Sequence, residues 1–342
     1  MTEAINSPFF ILCSGRSGST LLASMLNMHP NLYVPVELFG LYSSLPQQLK
    51  HYGDLNHDFN LRLLAYDLKN VGQLKEFNID FDSDEFYRRI YPRNKNLRSV
   101  IDCFYETLLS RSGRSRIGDK TPNNSPFIKV IDNLYPESKV IHLVRDGRDC
   151  AISSIRSRKG INHRNVYELG KLWPRNNGMI AAFGSENPSR YLRIRYEDLV
   201  VEPANILREI CSFLNESYSD SLLSYKEGKF AQENARVLDH HTNLGENIIR
   251  NNVGKWRSGL SREEVSIYNS LAGAALISFG YEEIDPSRGV SWRFHKFLYW
   301  LATTYRRAAR YTISQRIGLW RWICTHLKRK FKVYRLRDLV NS

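Results

Sequence analysis

Residues Pro8–Leu22 read PFFILCSGRSGSTLL: a short apolar run, a loop of small residues and the opening of a helix. Phe9-Phe10-Ile11-Leu12 is short, aromatic and β-branched, the composition of a buried strand. Ser14-Gly15-Arg16-Ser17-Gly18-Ser19-Thr20 follows at once. Two glycines let the backbone curl so that successive N–H groups face inward. Ser19 and Thr20 are suited to cap a helix whose positive end faces the same hollow. Strand, curled loop and helix N-terminus together make a cradle for phosphate. The Walker A pattern, with its Lys before the hydroxyl residue, is not met; the loop's one cation is Arg16, placed early.

A second stretch has the same layout. Ser138–Arg158 reads SKVIHLVRDGRDCAISSIRSR, with an apolar strand Val140–Val144, a turn Arg145-Asp146-Gly147-Arg148-Asp149 and a helix from Cys150. Arg145 at the strand's end and Ser153 two helical turns on can bracket one anion with a guanidinium fork and a hydroxyl.

The two stretches together resemble the sulfotransferases that use 3′-phosphoadenylyl sulfate. In that family a basic residue followed by Ser-Gly-Thr/Ser-Thr holds the 5′-phosphate, and an Arg after a strand with a Ser eight residues later holds the 3′-phosphate. The resemblance assigns Arg16, Ser17, Gly18, Ser19 and Thr20 to the first role and Arg145 and Ser153 to the second. A third basic contact is ambiguous, since Arg156 and Arg158 flank the expected place, Ser157. Asp119-Lys120-Thr121-Pro122 resembles the segment beside the sulfuryl group. Arg195-Tyr196-Glu197-Asp198-Leu199 resembles the one whose Tyr, here Tyr196, lies near the adenine. Val253-Gly254-Lys255-Trp256-Arg257 resembles the late basic loop, with Lys255 at the nucleotide. The resemblance runs over residues 8–283, although 41–110 and 159–188 carry no motif.

It implies an α/β, three-layer P-loop-like fold, a central parallel sheet flanked by helices. The implied donor is 3′-phosphoadenylyl sulfate, the product adenosine 3′,5′-bisphosphate, with no metal. In-line sulfuryl transfer, like phosphoryl transfer, needs positioning and charge stabilisation. Arg16 fits the leaving 5′-phosphate and Lys120 the sulfuryl oxygens. Glu37, in Pro35-Val36-Glu37, matches the base of the tyrosylprotein and related bacterial branch, its pKa raised if Leu38 and Phe39 cover it. His29 and His163 are the alternative bases, as in the small-molecule branch.

The wider chain sets limits. Alternating strands and helices argue for a parallel sheet with helices on both faces: strands at 8–14, 116–118, 139–144 and 190–195, and helices at 19–28, 125–134, 148–158, 167–183 (broken at Pro174), 203–214 and 261–279. Ser261 and Glu264 form a capping box at the last helix. The five cysteines are scattered without a C-x-x-C, as in a reduced cytoplasmic enzyme. His240-His241 lacks a third ligand nearby. No apolar run is long enough to span a bilayer, and the N-terminus has neither a basic n-region nor a long apolar segment. A cytoplasmic location, peripheral on the inner face of a membrane, is expected.

The net charge of +14 is concentrated. Arg288–Ser342 holds 14 Lys and Arg against Asp338 alone, which leaves 35 basic and 34 acidic residues elsewhere. Four of the six tryptophans lie there too. The expected division is a catalytic domain over 1–285, with 41–110 a helical substrate-facing insertion, and a basic amphipathic helical tail over 286–342. In the tail, Phe294, Leu298, Leu301, Tyr305 and Ala308 recur at spacings of three and four. That stripe suits an anionic membrane surface, or packing on the enzyme's own body or a second subunit. No nucleic-acid motif accompanies the charge. Two other classes compete with the sulfotransferase reading: a P-loop kinase or NTPase, and a non-catalytic basic membrane- or nucleic-acid-binding protein. The acceptor is left open among carbohydrate, lipid headgroup, small phenol and protein tyrosine.

Overall fold

The computed structural model describes residues 7–156, 164–237, 252–282 and 294–305. Five strands, β1 (Phe9–Cys13), β2 (Leu32–Tyr33), β3 (Arg116–Asp119), β4 (Val140–Val144) and β5 (Tyr191–Arg195), form one parallel sheet in the order β2-β3-β1-β4-β5. Every residue of β1 is buried, as a central strand covered on both faces requires. Its two faces divide by alternation. Phe10 and Leu12 face one core, completed by α2 (Leu45–Leu49), α3 (Asp58–Leu68), α4 (Ser83–Ile90), α5 (Leu97–Ser110) and α6 (Ile128–Leu134). Phe9, Ile11 and Cys13 face a second core, built with α1 (Ser19–Leu26), α9 (Tyr196–Val201), α10 (Pro203–Leu214) and α11 (Lys229–Val237). Three layers result.

α7 (Gly147–Arg156), α8 (Val166–Glu186), α12 (Trp256–Gly259) and α13 (Arg262–Ser278) complete the body. Ser261 and Glu264 make the expected capping box on α13. Three differences from the sequence reading stand out. The strand β2 is only two residues long, too short to carry a periodicity. The 125–134 helix begins as a 3-10 turn, Pro122–Phe127, because Pro126 lies inside it. And α8 runs through Pro174 without a break; it packs against α13, α7 and the sheet, and that tertiary support outweighs the roughly 3 kcal/mol cost of an interior proline.

From β1 the chain runs to the edge strand β2, returns through β3, and then crosses to β4 on the other side of β1. A crevice therefore opens at the carboxyl ends of β1, β3 and β4. The division expected at 285/286 and most of the tail lie outside the described residues, as do His163, Ser157, Arg158, His240, His241 and Cys324.

Candidate active site

The loop after β1 is held open from beneath. Ser125 Oγ donates to the Cys13 carbonyl (2.8 Å) and accepts from the Cys13 N–H (3.3 Å), pinning the strand's end. Ser17 turns inward: its hydroxyl donates to the Ser14 carbonyl (2.7 Å), so only its backbone is left for a ligand. The N-cap of α1 is Gly18 at φ 90°, not Ser19 or Thr20, and no side chain caps the helix. A Cβ at Gly18 would lie 2.3 Å from Tyr196 Cδ2. Only glycine can take this left-handed turn beneath the Tyr196 ring. Arg16 also has positive φ (70°). That conformation is uncommon for a residue with a side chain; Arg145 Nη1 (3.1 Å) and Cys150 Sγ (3.6 Å) both bond the Arg16 carbonyl and fix it.

The two anion motifs meet. Arg16 Nε donates to Ser153 Oγ (3.1 Å), joining a residue expected at the 5′-phosphate to one expected at the 3′-phosphate. Arg145 is buried, its guanidinium 4.5 Å from the Tyr196 ring centre, and its Nη2 donates to the Asn252 carbonyl (2.6 Å). Arg145 Nε is buried and makes no hydrogen bond. Burial first, and the Arg145 charge second, pull Arg16 below the usual arginine range. Two guanidiniums whose charges repel across one hollow, beside a helix N-terminus that no side chain caps, favour an anion between them. A 3′,5′-bisphosphate fits that demand.

The third group lies at the end of β3. Lys120 is 2% exposed, and its Nζ donates to Glu37 Oε1 (3.2 Å) and Thr20 Oγ1 (3.3 Å). Lysine, loop helix and carboxylate are thus one connected unit. Leu38 is buried beside Glu37 while Phe39 is 40% exposed, and the Lys120 ammonium contacts the carboxylate. His29 is far from free: Nε2 bonds the Ser217 carbonyl (2.8 Å) and Nδ1 accepts the Asn31 N–H (3.1 Å). Both ring nitrogens are thereby used to tie down the loop that leads to β2.

Several supporting residues carry no motif. Gln73 N–H donates to the Glu37 carbonyl (2.9 Å) and its side chain accepts the Glu37 N–H (3.3 Å). Gly72, at φ 59°, would place a Cβ 2.1 Å from that same carbonyl. The Leu38 N–H donates to Thr121 Oγ1 (2.9 Å). Beneath Lys120, fully buried Asp119 accepts from Tyr105 OH (2.8 Å) and Asn124 Nδ2 (3.3 Å), and Tyr105 OH meets Tyr42 OH at 2.8 Å. Burial pushes the Asp119 carboxyl up to about 6.

Asp149 fastens the late loop. Its carboxylate accepts the N–H groups of Gly254 (2.8 Å) and Trp256 (2.9 Å), and Arg148 lies 3.9 Å from the Trp256 ring centre. Lys255 is thus carried on a backbone held to α7, four residues beyond Arg145. A cavity of about 520 Å³ adjoins this point, lined among others by Asp146, Arg148, Glu197, Trp256 and Tyr281. The spacing Arg145-x-x-x-Asp149 is a signal in the sequence for this strut; Gln73 and Gly72 have none. Among the described residues no three His, Cys, Asp or Glu side chains gather as a metal site. The four described cysteines are free, with burial pushing Cys13, Cys103 and Cys150 up to about 12 and Cys211 to about 11.

Known proteins share this fold. A sulfotransferase domain from an olefin synthase of Synechococcus PCC 7002 superposes over 82% of this chain and 96% of its own, with TM-score 0.55 and 27% identity. A sulfotransferase domain from the curacin biosynthetic pathway does so over 82% and 100%, with TM-score 0.58 and 25% identity. A putative protein-tyrosine sulfotransferase of Caenorhabditis briggsae is 24% identical over 218 residues, 62% of this chain and 66% of that protein. An uncharacterized protein of Aquifex aeolicus is 24% identical over 73% of this chain, which spans only 30% of that relative. The model of the sulfotransferase family matches residues 8–220. With its parallel sheet, paired arginines and crevice, the chain belongs to the sulfotransferase family.

Proposed function

We propose that this protein transfers a sulfuryl group from 3′-phosphoadenylyl sulfate to a hydroxyl or amine acceptor by in-line displacement. The observation that carries the reading is the meeting of Arg16, Arg145 and the Lys120–Glu37 pair at adjoining strand ends. Arg145, with Ser153 and Lys255, would hold the 3′-phosphate; Arg16 and the N–H groups of residues 17–20 would hold the 5′-phosphate. Tyr196 would flank the adenine.

In the transfer, Glu37 takes the proton from the acceptor O–H or N–H as that atom attacks sulfur. The bond between sulfur and the bridging oxygen of the donor breaks, and the electron pair leaves on the 5′-phosphate of adenosine 3′,5′-bisphosphate. Lys120 offsets charge on the sulfuryl and bridging oxygens while Arg16 offsets the growing phosphate charge. The Lys120–Glu37 contact holds the base close to the reacting atoms until an acceptor arrives.

Residues 1–285 would form the catalytic domain, with 41–110 facing the acceptor and 286–342 a basic tail. A hydroxyl on protein tyrosine, carbohydrate, lipid or a small phenol is the acceptor class; the C. briggsae relative's name supports a phenolic hydroxyl. A cytoplasmic location, peripheral on the inner face of a membrane, is proposed alongside it, supported by the cationic excess after Arg288.

The test is transfer of radiolabelled sulfate from the donor to a panel of these acceptors. Label should reach at least one acceptor with the wild-type chain and none with Glu37→Gln at matched times. Hydrolysis of ATP with magnesium, and no sulfate transfer to any acceptor, would favour the NTPase class instead.

A further inference from the structure

Residues 294–305 form a helix whose sidedness is reversed for a water-bathed surface. Its attachment to the body is largely polar, with Tyr299 also packed against the apolar cluster of Val166, Trp256 and Val265. Asn165 Nδ2 donates to the Tyr299 carbonyl (3.2 Å) and to Thr303 Oγ1 (3.1 Å), Lys296 Nζ to Ser270 Oγ (3.1 Å), and Tyr299 OH to Glu264 Oε1 (3.4 Å). Positions 296, 299 and 303 are spaced by three and four, so they form one face, and Thr303 is buried. Phe294, Phe297, Leu298, Trp300, Leu301 and Tyr305 lie outside that face, each between 44% and 75% exposed. Phe297 and Trp300 stack with ring centres 5.7 Å apart. An amphipathic helix on a folded body ordinarily turns its apolar stripe inward. Here the stripe that spacing alone could have packed on the enzyme points away from it.

We propose that this helix docks the enzyme on an anionic lipid surface. Three aromatic residue types share the exposed face, the composition that sits at a membrane–water boundary, with apolar rings below and polar edges above. The flanking sequence is cationic. Arg288 and Arg293 precede the helix, Lys296 lies within it, and Arg306, Arg307 and Arg310 follow. A second copy of this chain would bring two such cationic flanks together, and their repulsion disfavours self-association through this face. Anionic headgroups instead attract each nearby cation while the acyl boundary takes the rings. Among the described residues no helix is long and apolar enough to cross a membrane, so the attachment proposed is interfacial. It rests on the peripheral-membrane location proposed above, and not on the sulfuryl-transfer step, so it survives if that step fails.

The experiment uses the full chain and sedimentation with vesicles of phosphatidylglycerol and phosphatidylcholine, against vesicles of phosphatidylcholine alone. Wild type should partition at least about tenfold more strongly onto the anionic vesicles, and high salt should weaken but not abolish that binding. Phe297→Ser with Trp300→Ser should lower partitioning onto anionic vesicles by about tenfold or more, with melting temperature and adenosine 3′,5′-bisphosphate binding unchanged. Phe294→Ser with Tyr305→Ser, a pair further from the body's contacts, should act in the same direction. Partitioning of both variants equal to wild type would overturn the proposal. So would a concentration-dependent dimer of the wild type that either variant converts to monomer without loss of vesicle binding.

Discussion

The crevice is built by two regions of opposite character. Around the ends of β1 and β4 nearly every functional group is written as a local motif, and polar side chains are buried and bonded to backbone: Arg145 to the carbonyls of Arg16 and Asn252, Asp149 to the N–H groups of Gly254 and Trp256. The region of α2–α5 has no motif. It is an apolar core with surface ion pairs such as Arg89–Glu85 and Arg93–Glu106. Yet the motif-free region reaches the chemistry at two points, through Gly72-Gln73 on the Glu37 backbone and through Tyr42–Tyr105 on Asp119. The comparison teaches that the residues proposed to bind the donor are encoded locally, whereas the placing of Glu37 and Lys120 depends on packing from distant sequence.

The largest expected effect breaks the chemistry and spares the donor side. Glu37→Gln should lower turnover by about two to four decades, the usual yield of general base catalysis, with adenosine 3′,5′-bisphosphate affinity held in calorimetry. A rate within about threefold of wild type would make Glu37 a bystander.

Gly72→Ala tests whether the motif-free region positions the base. Its Cβ cannot coexist with the Glu37 carbonyl in the present backbone. Displacing the base by about 1 Å should cost on the order of 10²-fold in turnover, read by steady-state kinetics beside bisphosphate affinity. If turnover is unchanged in a folded variant, Gly72 does not position Glu37.

Asp119 gives a pH signature. Its folded pKa, pushed up to about 6, lies above the ordinary aspartate value of 3.8. Between these values the folded state binds more protons than the unfolded state, so this group makes stability fall as pH rises from about 4 to about 6, the penalty being complete above. Urea unfolding at pH 4.5 and 7 should show a smaller decline for Asp119→Asn than for wild type. An identical decline would mean the carboxyl titrates normally.

The smallest effect belongs to the outer face of α4. Arg89→Ala removes a partly exposed pair to Glu85 and Glu106 and should cost about 1 kcal/mol or less in denaturant unfolding, with turnover unchanged. A large loss of activity would show that this surface touches the acceptor.

These contrasts explain what was legible in the sequence. Strands β1 and β4 and the loops after them could be read because a buried parallel strand is a continuous apolar run and an anion loop needs Gly, Arg and hydroxyl residues at fixed spacing. Two-residue β2 and the helical run of α8 through Pro174 could not, since length and tertiary support override local preference. In the site, Arg16, Arg145, Ser153, Thr20, Lys120 and Glu37 come together as one cluster. The direct bond between Arg16 and Ser153, the inward turn of Ser17, and the roles of Gln73 and Gly72 depend on geometry that no spacing records.

The central claim is that Arg16 and Arg145 each answer one phosphate of a nucleoside 3′,5′-bisphosphate. Calorimetry of adenosine 3′,5′-bisphosphate and AMP binding to wild type and to Arg145→Ala tests it directly. Losing one charge-assisted contact of about 1.5–3 kcal/mol should weaken bisphosphate binding about tenfold or more while AMP, which lacks the 3′-phosphate, binds nearly as before. Equal losses for both ligands, or a wild type that does not prefer the bisphosphate, would contradict the assignment.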